Sequence, residues 1–240
     1  MKISWCATMK EERSIPTVAS INNQTIKPFE IIIIEGGNIS QGRNNYLVKA
    51  KGDLIASFDG GCLYEKDYSN KMLKTLNETN ADIVFGIVEP FDKLNRIQKY
   101  CVGRMPDYDN FTEEDWDNFI PSNRQVMFKR EVIAKLGLLP EELWRSDDTY
   151  WYQKAKKLGL KFAHCDAVVK WEMKTTLVSY LKSVYNDTKC DYQFGIKPFG
   201  ASKRKKTKKN LYVLFVMCLA LIFKILGKLS GMFHFKRIIK

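Results

Sequence analysis

Short apolar runs alternate with amphipathic stretches over the first ninety residues. Four of the runs predict buried strands, 3–8, 29–34, 53–58 and 82–88, and the run 29–34 is almost continuously β-branched. Three stretches between them predict helices: 12–23, 40–51 and 68–76. The first helix is expected to turn four apolar residues inward: Ile15, Val18, Ala19 and Ile21. This order predicts an α/β fold with a mainly parallel sheet, flanked by helices, whose ligands bind at the carboxyl ends of the strands.

The pattern is less regular after Pro90. The acidic and aromatic residues 106–119 predict a loop or a short helix. Short apolar runs predict three further strands: 126–128, 162–163 and 167–171. Amphipathic stretches predict three further helices: 130–136, 147–158 and 176–185. We therefore expect a folded body over residues 1–191, a basic linker over 192–210 and a hydrophobic segment over 211–240.

The net charge of +12 is concentrated at the carboxyl end of the chain. Residues 192–240 contain twelve Lys and Arg and no acid, which leaves 27 basic and 27 acidic residues in 1–191. Because a nucleic-acid-binding domain usually carries basic residues over its folded face, the neutral body predicts no nucleic-acid partner. The six cysteines form no CxxC pair and the chain has two histidines, so neither a zinc finger nor a disulfide scaffold is indicated. A reducing cytosol fits this composition.

A hydrophobic segment follows the basic run 203–209. Residues 211–223 are apolar without interruption, and the segment reaches the ~20 residues of a membrane span only by including Lys224 and Lys228. Lysines near a helix end can extend to the lipid head groups, so a tilted span and a helix lying in the membrane both remain open. A core helix beside a solvated charge run is the alternative without a membrane. The basic run fits the anionic cytoplasmic leaflet, and no signal-peptide pattern precedes the first strand. We expect the protein at the cytoplasmic face of the cell membrane, anchored through 203–240.

Acidic residues follow the first three predicted strands: Glu11, Glu35 and Asp59. Because parallel strands end at one edge of a sheet, we expect these carboxylates at one rim. Two further acids, Asp147 and Asp148, open the predicted helix 147–158, where one of them alternatively caps the helix. The sequence contains neither GxGxxG nor the P-loop pattern, which removes the support for those two kinds of nucleotide site.

Six short motifs resemble, in order, those of family 2 glycosyltransferases. Residues 8–11, 20–25 and 30–37 are similar to the opening motifs of that family, which read T-x-N-E, S-[IL]-x-x-Q-T and E-I-I-[IV]-[VD]-D-G-[GS]. The stretch [AG]-R-N…A-x-G-[DE]…[FL]-D-x-D is similar to residues 42–44, 50–53 and 58–61. The R-[RK]-E…G region is similar to 129–137, and the E-D…R…G region to 147–159. The resemblance covers about residues 3–190.

The resemblance implies a GT-A fold over 1–191, which holds a nucleotide-sugar donor on its N-terminal half and an acceptor on its C-terminal half. It implies that the donor site contains the following residues: Thr8, Glu11, Glu35, Gly36, Arg43 and Asp59. Asp59 would also hold a divalent cation, Mg²⁺ or Mn²⁺, at the donor diphosphate. Asp148 would be the general base of an inverting transfer, with Asp147 as the second candidate. The chemistry of glycosyl transfer agrees with these roles. An acceptor hydroxyl needs a carboxylate to take its proton. A departing diphosphate needs positive charge, from a cation or from Lys and Arg.

Three features depart from the family pattern. Between Gly37 and Gly42 the chain lacks most of a helix-and-strand unit of about twenty residues that the resemblance leads us to expect. Gly61 stands in place of the second acid of D-x-D, as in relatives that carry D-[AG]-G-C, and Trp171 stands in place of a common histidine. We therefore expect a cation at Asp59 to bind weakly without donor and detectably with it. The resemblance implies an inverting, hexosyltransferase-like enzyme that modifies a surface glycan or a lipid-linked acceptor. The alternative is a catalytically silent GT-A-like protein that binds a nucleotide-sugar or a partner at the membrane.

Overall fold

The computed structural model describes residues 1–9, 14–102, 105–173, 176–196 and 211–238. Glu11 and the basic run 203–209 lie outside the described residues. The chain divides into two units. The first consists of three segments: Met1–Phe91, Ile120–Glu142 and Asp147–Glu172. The second consists of the remaining three: Asp92–Phe119, Leu143–Ser146 and Met173–Lys240.

The first unit contains a seven-stranded sheet in the order β2-β1-β3-β6-β5-β7-β4. Its strands are β1 (Ile3–Thr8), β2 (Glu30–Ile34), β3 (Leu54–Ser57), β4 (Cys62–Tyr64), β5 (Ile83–Pro90), β6 (Val126–Lys129) and β7 (Phe162–Trp171). β1 pairs in parallel with β2 and β3, and β5 pairs in parallel with β7. β6 is antiparallel to both β3 and β5, and β4 is antiparallel to β7. The α/β class is confirmed, with a mixed sheet where the apolar runs predicted a mainly parallel one.

The described helices are α1 (Ile15–Asn22), α2 (Ile39–Lys49), α3 (Tyr68–Thr79), α4 (Arg96–Val102), α5 (Glu113–Asn118), α6 (Glu131–Leu136), α7 (Asp147–Lys157), α8 (Leu177–Gln193) and α9 (Leu211–Ile238). α2 begins with a capping box, in which the Asn38 side chain accepts from the Gln41 N–H and the Gln41 side chain accepts from the Asn38 N–H. This cap starts α2 directly after the Gly36-Gly37 turn and so sets the position of Arg43.

The inward face of α1 differs from the predicted one. Ile15 is 66% exposed and Ala19 is also exposed, whereas Thr17 and Ile21 are buried. Thr17 faces inward because its Oγ1 accepts a hydrogen bond from the backbone N–H of Cys62 at 3.2 Å. A polar residue therefore takes the place that periodicity assigned to an apolar one.

The centre of β1 lies in an aromatic cluster. Trp5 is fully buried, with ring centroids 4.9 Å from Tyr64 and 6.1 Å from Tyr68. Tyr64 and Tyr68 are themselves 4.8 Å apart in an edge-to-face arrangement. Aromatic pairs of this geometry add to the free energy of area burial, so the cluster fixes β1 against β4 and α3.

The second unit is helical. Residues 106–119, predicted as a loop or a short helix, contain α5, which begins with a capping box formed by Thr112 and Asp115. α9 packs along α8, and glycines allow the close approach. A Cβ at Gly227 would lie 2.5 Å from the carbonyl oxygen of Tyr185, and one at Gly231 would lie 2.6 Å from that of Lys189.

One helix among the described residues is long and apolar enough to cross a membrane, judged by length and composition alone. This stretch is Leu214–Met232 of α9, with a mean hydropathy of 1.9 and 22% of it buried. The apolar helix predicted over 211–235 is therefore present, and most of its side-chain surface faces outward.

Candidate active site

The ends of β1, β2 and β3 meet at one edge of the sheet, because the three strands are parallel. Thr8 is the last residue of β1, and its hydroxyl is buried without a hydrogen-bond partner among the described residues. Gly42 of α2 lies against it, since a Cβ at that position would be 2.2 Å from Thr8 Cγ2. The sequence-predicted residues Glu35 and Gly36 follow β2 and are exposed. Gly36 has φ +81°, which favours glycine.

A buried ion pair lies beneath this edge. Arg43, from α2, is 5% exposed, and Asp147, at the start of α7, is 4% exposed. The guanidinium Nε of Arg43 contacts Asp147 Oδ2, and its Nη1 donates to the Tyr46 hydroxyl at 3.2 Å. Asn123 Nδ2 donates to the same Asp147 oxygen at 2.9 Å. A buried charge needs such partners, so this network ties α2, α7 and the segment before β6 together.

Asp148 differs from Asp147 in its contacts. It is half-buried, and its Oδ1 accepts a hydrogen bond from the N–H of Thr149 at 2.8 Å. Its Oδ2 has no partner within the described part of the chain. Burial raises the pKa of both carboxyl groups, although the positive charge of Arg43 opposes the rise. Asp148 therefore presents an open carboxylate oxygen of raised pKa, which suits a general base, whereas Asp147 is held by Arg43.

Asp59 lies directly across the sheet edge from an arginine. Its Oδ2 is 3.4 Å from both Nε and Nη2 of Arg124, and its Oδ1 is 3.9 Å from Nη2 of Arg43. The Arg124 guanidinium also stacks on Trp171, 3.9 Å from the ring centroid. The carboxylate predicted to hold a cation therefore has a guanidinium group beside each of its oxygens.

The donor set does not fit a divalent cation held by protein side chains. No group of three His, Cys, Asp or Glu side chains converges anywhere in the described ranges. Gly61 supplies no carboxylate, and its φ of +76° disfavours a side chain there. Two guanidinium groups at Asp59 also oppose a second cation electrostatically. These side chains therefore favour a transfer that does not depend on a protein-held metal ion.

Residues 35–137 match the family model described as "Glycosyl transferase family 2". The matched segment runs from the end of β2 to Gly137 and includes Arg43, Asp59 and Arg124. Over these residues the chain is similar to glycosyl transferase family 2. The prediction of that family from the six motifs is thereby confirmed for these residues.

A curated glycosyltransferase is also similar to this chain. The glycosyltransferase AglE of Haloferax volcanii is 28% identical over 131 residues, which cover 51% of this chain and 40% of AglE. The chain thus spans less than half the length of that relative.

Solved structures share the fold. The crystal structure of S. aureus TarS 1–349 in complex with UDP has a TM-score of 0.55 at 11% identity, over 80% of this chain and 64% of that one. The mannosyltransferase PcManGT from Pyrobaculum calidifontis, in complex with GDP-Man and Mn²⁺, has a TM-score of 0.56 at 12% identity, over 97% of this chain and 73% of that one. At these identities the likeness concerns the fold, and it confirms the predicted GT-A-like architecture.

Sequence reasoning missed two residues of this site, Asn123 and Arg124. Both lie in a short 3-10 turn before β6, within a polar stretch without a recognisable motif. No local signal distinguishes Arg124 from the neighbouring Arg130, which is exposed. The antiparallel pairing of β6 with β3 brings Arg124 to the site, and that pairing is a property of the folded sheet.

Proposed function

We propose that this protein is an inverting glycosyltransferase that moves a hexose from a nucleoside diphosphate sugar to a hydroxyl group of a glycan or a lipid-linked acceptor. The observation that carries the proposal is the open carboxylate of Asp148 beside the Arg43–Asp147 pair, at the edge of a GT-A-like sheet. The UDP in TarS and the GDP-Man in PcManGT support a nucleoside diphosphate sugar as the donor. The sequence D-G-G-C at 59–62 supports a subgroup that lacks the second acid of D-x-D.

Asp148 acts as the general base. The acceptor oxygen attacks the anomeric carbon from the face opposite the diphosphate, and its proton passes to the carboxylate of Asp148. The new bond joins the acceptor oxygen to the anomeric carbon. The bond between that carbon and the phosphate oxygen breaks, and its electron pair leaves with the nucleoside diphosphate. One displacement of this kind inverts the anomeric centre.

Asp147 has a positioning role. Its pairing with Arg43 and Asn123 fixes the first turn of α7, from which Asp148 projects. Removing one partner of a buried ion pair leaves the other charge uncompensated, at a cost of about 3–5 kcal/mol. A change at Asp147 is therefore expected to act through stability and through the placement of Asp148.

The donor occupies the edge formed by the ends of β1, β2 and β3. The buried Thr8 hydroxyl offers a hydrogen bond that no described residue takes up. Glu35 and Gly36 provide an exposed carboxylate and a backbone that a nucleoside can approach closely. Glu11 completes the proposed donor set from outside the described residues.

The test combines donor binding with turnover. Wild-type protein should be stabilised in a thermal-shift screen by one nucleoside diphosphate sugar of a panel, because a ligand that binds the folded state stabilises it. Asp148→Asn should retain that shift while turnover falls about 10²–10⁴-fold, since the variant keeps the shape and loses the base.

The control is Asp166→Asn, which removes a carboxylate that is 80% exposed and bonded to Lys71. It should leave both readouts unchanged. An Asp148→Asn variant with wild-type turnover would contradict the assignment of the base. Binding of a donor without turnover in wild type would favour the catalytically silent alternative.

We also propose that α9 places the protein at the cytoplasmic face of a membrane and lies in the plane of the lipid head groups. Its exposed residues are mostly apolar and include Leu214, Phe215, Leu221, Ile222 and Ile225, each about half exposed or more, and the exposed Lys224 and Lys228 lie towards the end of this stretch. Its inward side packs on α8 through Gly227 and Gly231. α8 carries Lys182, Asp187, Lys189 and Asp191, and charged groups at the bilayer centre are costly. An in-plane helix leaves α8 in water, and the adjoining basic run 203–209 adds attraction to anionic lipids.

A further inference from the structure

We infer that Arg124 binds the diphosphate of the donor and offsets the charge on the departing nucleoside diphosphate, in place of a protein-held divalent cation. The inference rests on the proposed glycosyl transfer. It concerns how that reaction obtains positive charge at the leaving group, which the family resemblance implied would come from a cation at Asp59.

The strand register places Arg124 at the site. β3 pairs antiparallel with β6 at Leu54↔Lys129, Ile55↔Phe128 and Ala56↔Met127. Continuing that register three positions past Ala56 sets Asp59 opposite Arg124. The observed contacts agree, with two nitrogens of Arg124 at 3.4 Å from Asp59 Oδ2. The guanidinium therefore lies at the carboxyl end of β3, where ligands of such sheets bind.

Three contacts hold the Arg124 side chain and backbone in place. Its guanidinium stacks on Trp171 and pairs with Asp59, and its carbonyl oxygen accepts a hydrogen bond from the Tyr64 hydroxyl at 2.7 Å. The Trp171 ring therefore fixes the position of the Arg124 guanidinium through a cation–π contact. A preorganised charge of this kind stabilises a transition state without reorganisation during the reaction.

Arg124 retains the capacity to bind phosphate. Asp59 engages Nε and Nη2, which leaves further N–H groups of the five that a guanidinium offers. The side chain is 22% exposed, so these groups are within reach of a ligand. Arginine binds phosphate oxygens bidentately, which suits a diphosphate.

A competing source of charge is a cation held by Asp59 together with Glu172. The β4–β7 register sets Glu172 opposite Gly61, and the Glu172 N–H donates to the Gly61 carbonyl at 2.9 Å. Glu172 Oε2 lies 3.3 Å from where a Cβ at Gly61 would be. Glu172 would thus restore the second carboxylate from another strand. The two possibilities predict different effects of metal ions and of substitutions.

The experiment measures the binding of UDP, GDP, dTDP and CDP to the full chain by calorimetry, once in EDTA and once in Mn²⁺. Wild type should bind one of these nucleotides in EDTA, and Mn²⁺ should change the affinity by less than about 3-fold, under 1 kcal/mol. Arg124→Gln should weaken binding about 10–100-fold, the worth of a hydrogen bond to a charged group. Arg124→Lys keeps the positive charge and loses the planar guanidinium group. Its nucleotide affinity should lie between those of wild type and Arg124→Gln.

Arg130→Gln is the matched control, because it removes an exposed guanidinium from the same segment, and it should bind like wild type. The inference is overturned if Mn²⁺ raises the wild-type affinity tenfold or more and Glu172→Gln abolishes that response. It is also overturned if Arg124→Gln and Arg124→Lys both bind like wild type. If wild type binds none of the four nucleotides in either buffer, the proposed function itself fails. That outcome is distinct from metal-dependent binding, which would leave the proposed function standing.

Discussion

Asp148 and Asp147 are neighbours in sequence with different surroundings. Asp147 faces inward to Arg43 and Asn123, while Asp148 bonds to its own helix through the Thr149 N–H. Two adjacent residues of a helix cannot share one direction, so only one of the pair can enter the buried network. This division supports a structural role for Asp147 and the proposed role of Asp148 as the general base.

The pH dependence of turnover tests the assignment at the level of this residue. Burial and the negative charge of Asp59 raise the pKa of Asp148, and a general base works only when it is ionised. The acid limb of the kcat/KM profile should therefore have its midpoint above the ~3.9 of an ordinary aspartate. Asp59→Asn removes a negative neighbour and should move that limb to lower pH.

Asp166→Asn serves as the control for the pH profile, since its carboxylate is exposed and pairs with Lys71, which is not a residue of the candidate site. Its profile should coincide with that of wild type. If kcat/KM of wild type stays constant as the pH falls to the pKa of an ordinary aspartate, no buried carboxylate of raised pKa acts as the base.

At the scale of elements, the junction of β5 with β7 depends on one glycine. The parallel register between these strands shifts between Phe85 and Ile87, and Gly86 lies at the shift. A Cβ at Gly86 would be 2.3 Å from the carbonyl oxygen of Ala167. Because that neighbour is backbone in the middle of a strand, it cannot move aside without breaking the pairing.

Gly86→Ala should accordingly lower the free energy of unfolding by about 3 kcal/mol, the upper range for overpacking a core. Gly159→Ala is the matched comparison, because its φ is +71° and nothing lies within 4 Å of its Cβ position. It should cost about 1 kcal/mol from backbone strain alone. Urea denaturation of both variants checks the order, and an equal loss in the two would contradict the clash at Gly86.

At the scale of the whole molecule, the chain combines a neutral body with a basic, apolar carboxyl end. The proposed in-plane helix predicts that the full chain floats with vesicles containing anionic lipid and binds vesicles of neutral lipid more weakly. Leu221→Glu with Ile225→Glu should abolish flotation, because both side chains are at least half exposed on α9. Alkaline carbonate should release the wild-type chain from vesicles, whereas a spanning helix would resist it.

Leu138→Glu with Leu158→Glu is the control for flotation, since these leucines are comparably exposed but lie in the first unit. The control should float like wild type. A full chain that remains in solution with anionic vesicles at low salt would contradict membrane association.

The sequence alone determined the order and type of most elements. Short apolar runs predicted β1, β2, β3 and β5, because a buried strand needs apolar side chains on both faces. The motifs that contain Asp59 and Asp147-Asp148 indicated the candidate site, because each motif is a local pattern with fixed spacing that can be recognised without the fold. β4 was missed because three residues between two turns carry too little periodicity.

Only the tertiary structure decided which residues meet. The direction of β6 brings Arg124 to Asp59, and the direction of β4 brings Glu172 to Gly61. Strand direction leaves no trace in a short apolar run, because alternation of side chains is the same for both directions. Likewise Thr17, and not Ile15, lies on the inward face of α1, where its Oγ1 accepts a hydrogen bond from the N–H of Cys62, a residue distant in sequence. Contacts between residues far apart in sequence are made by the fold as a whole, so local patterns predict the elements and leave their pairing undetermined.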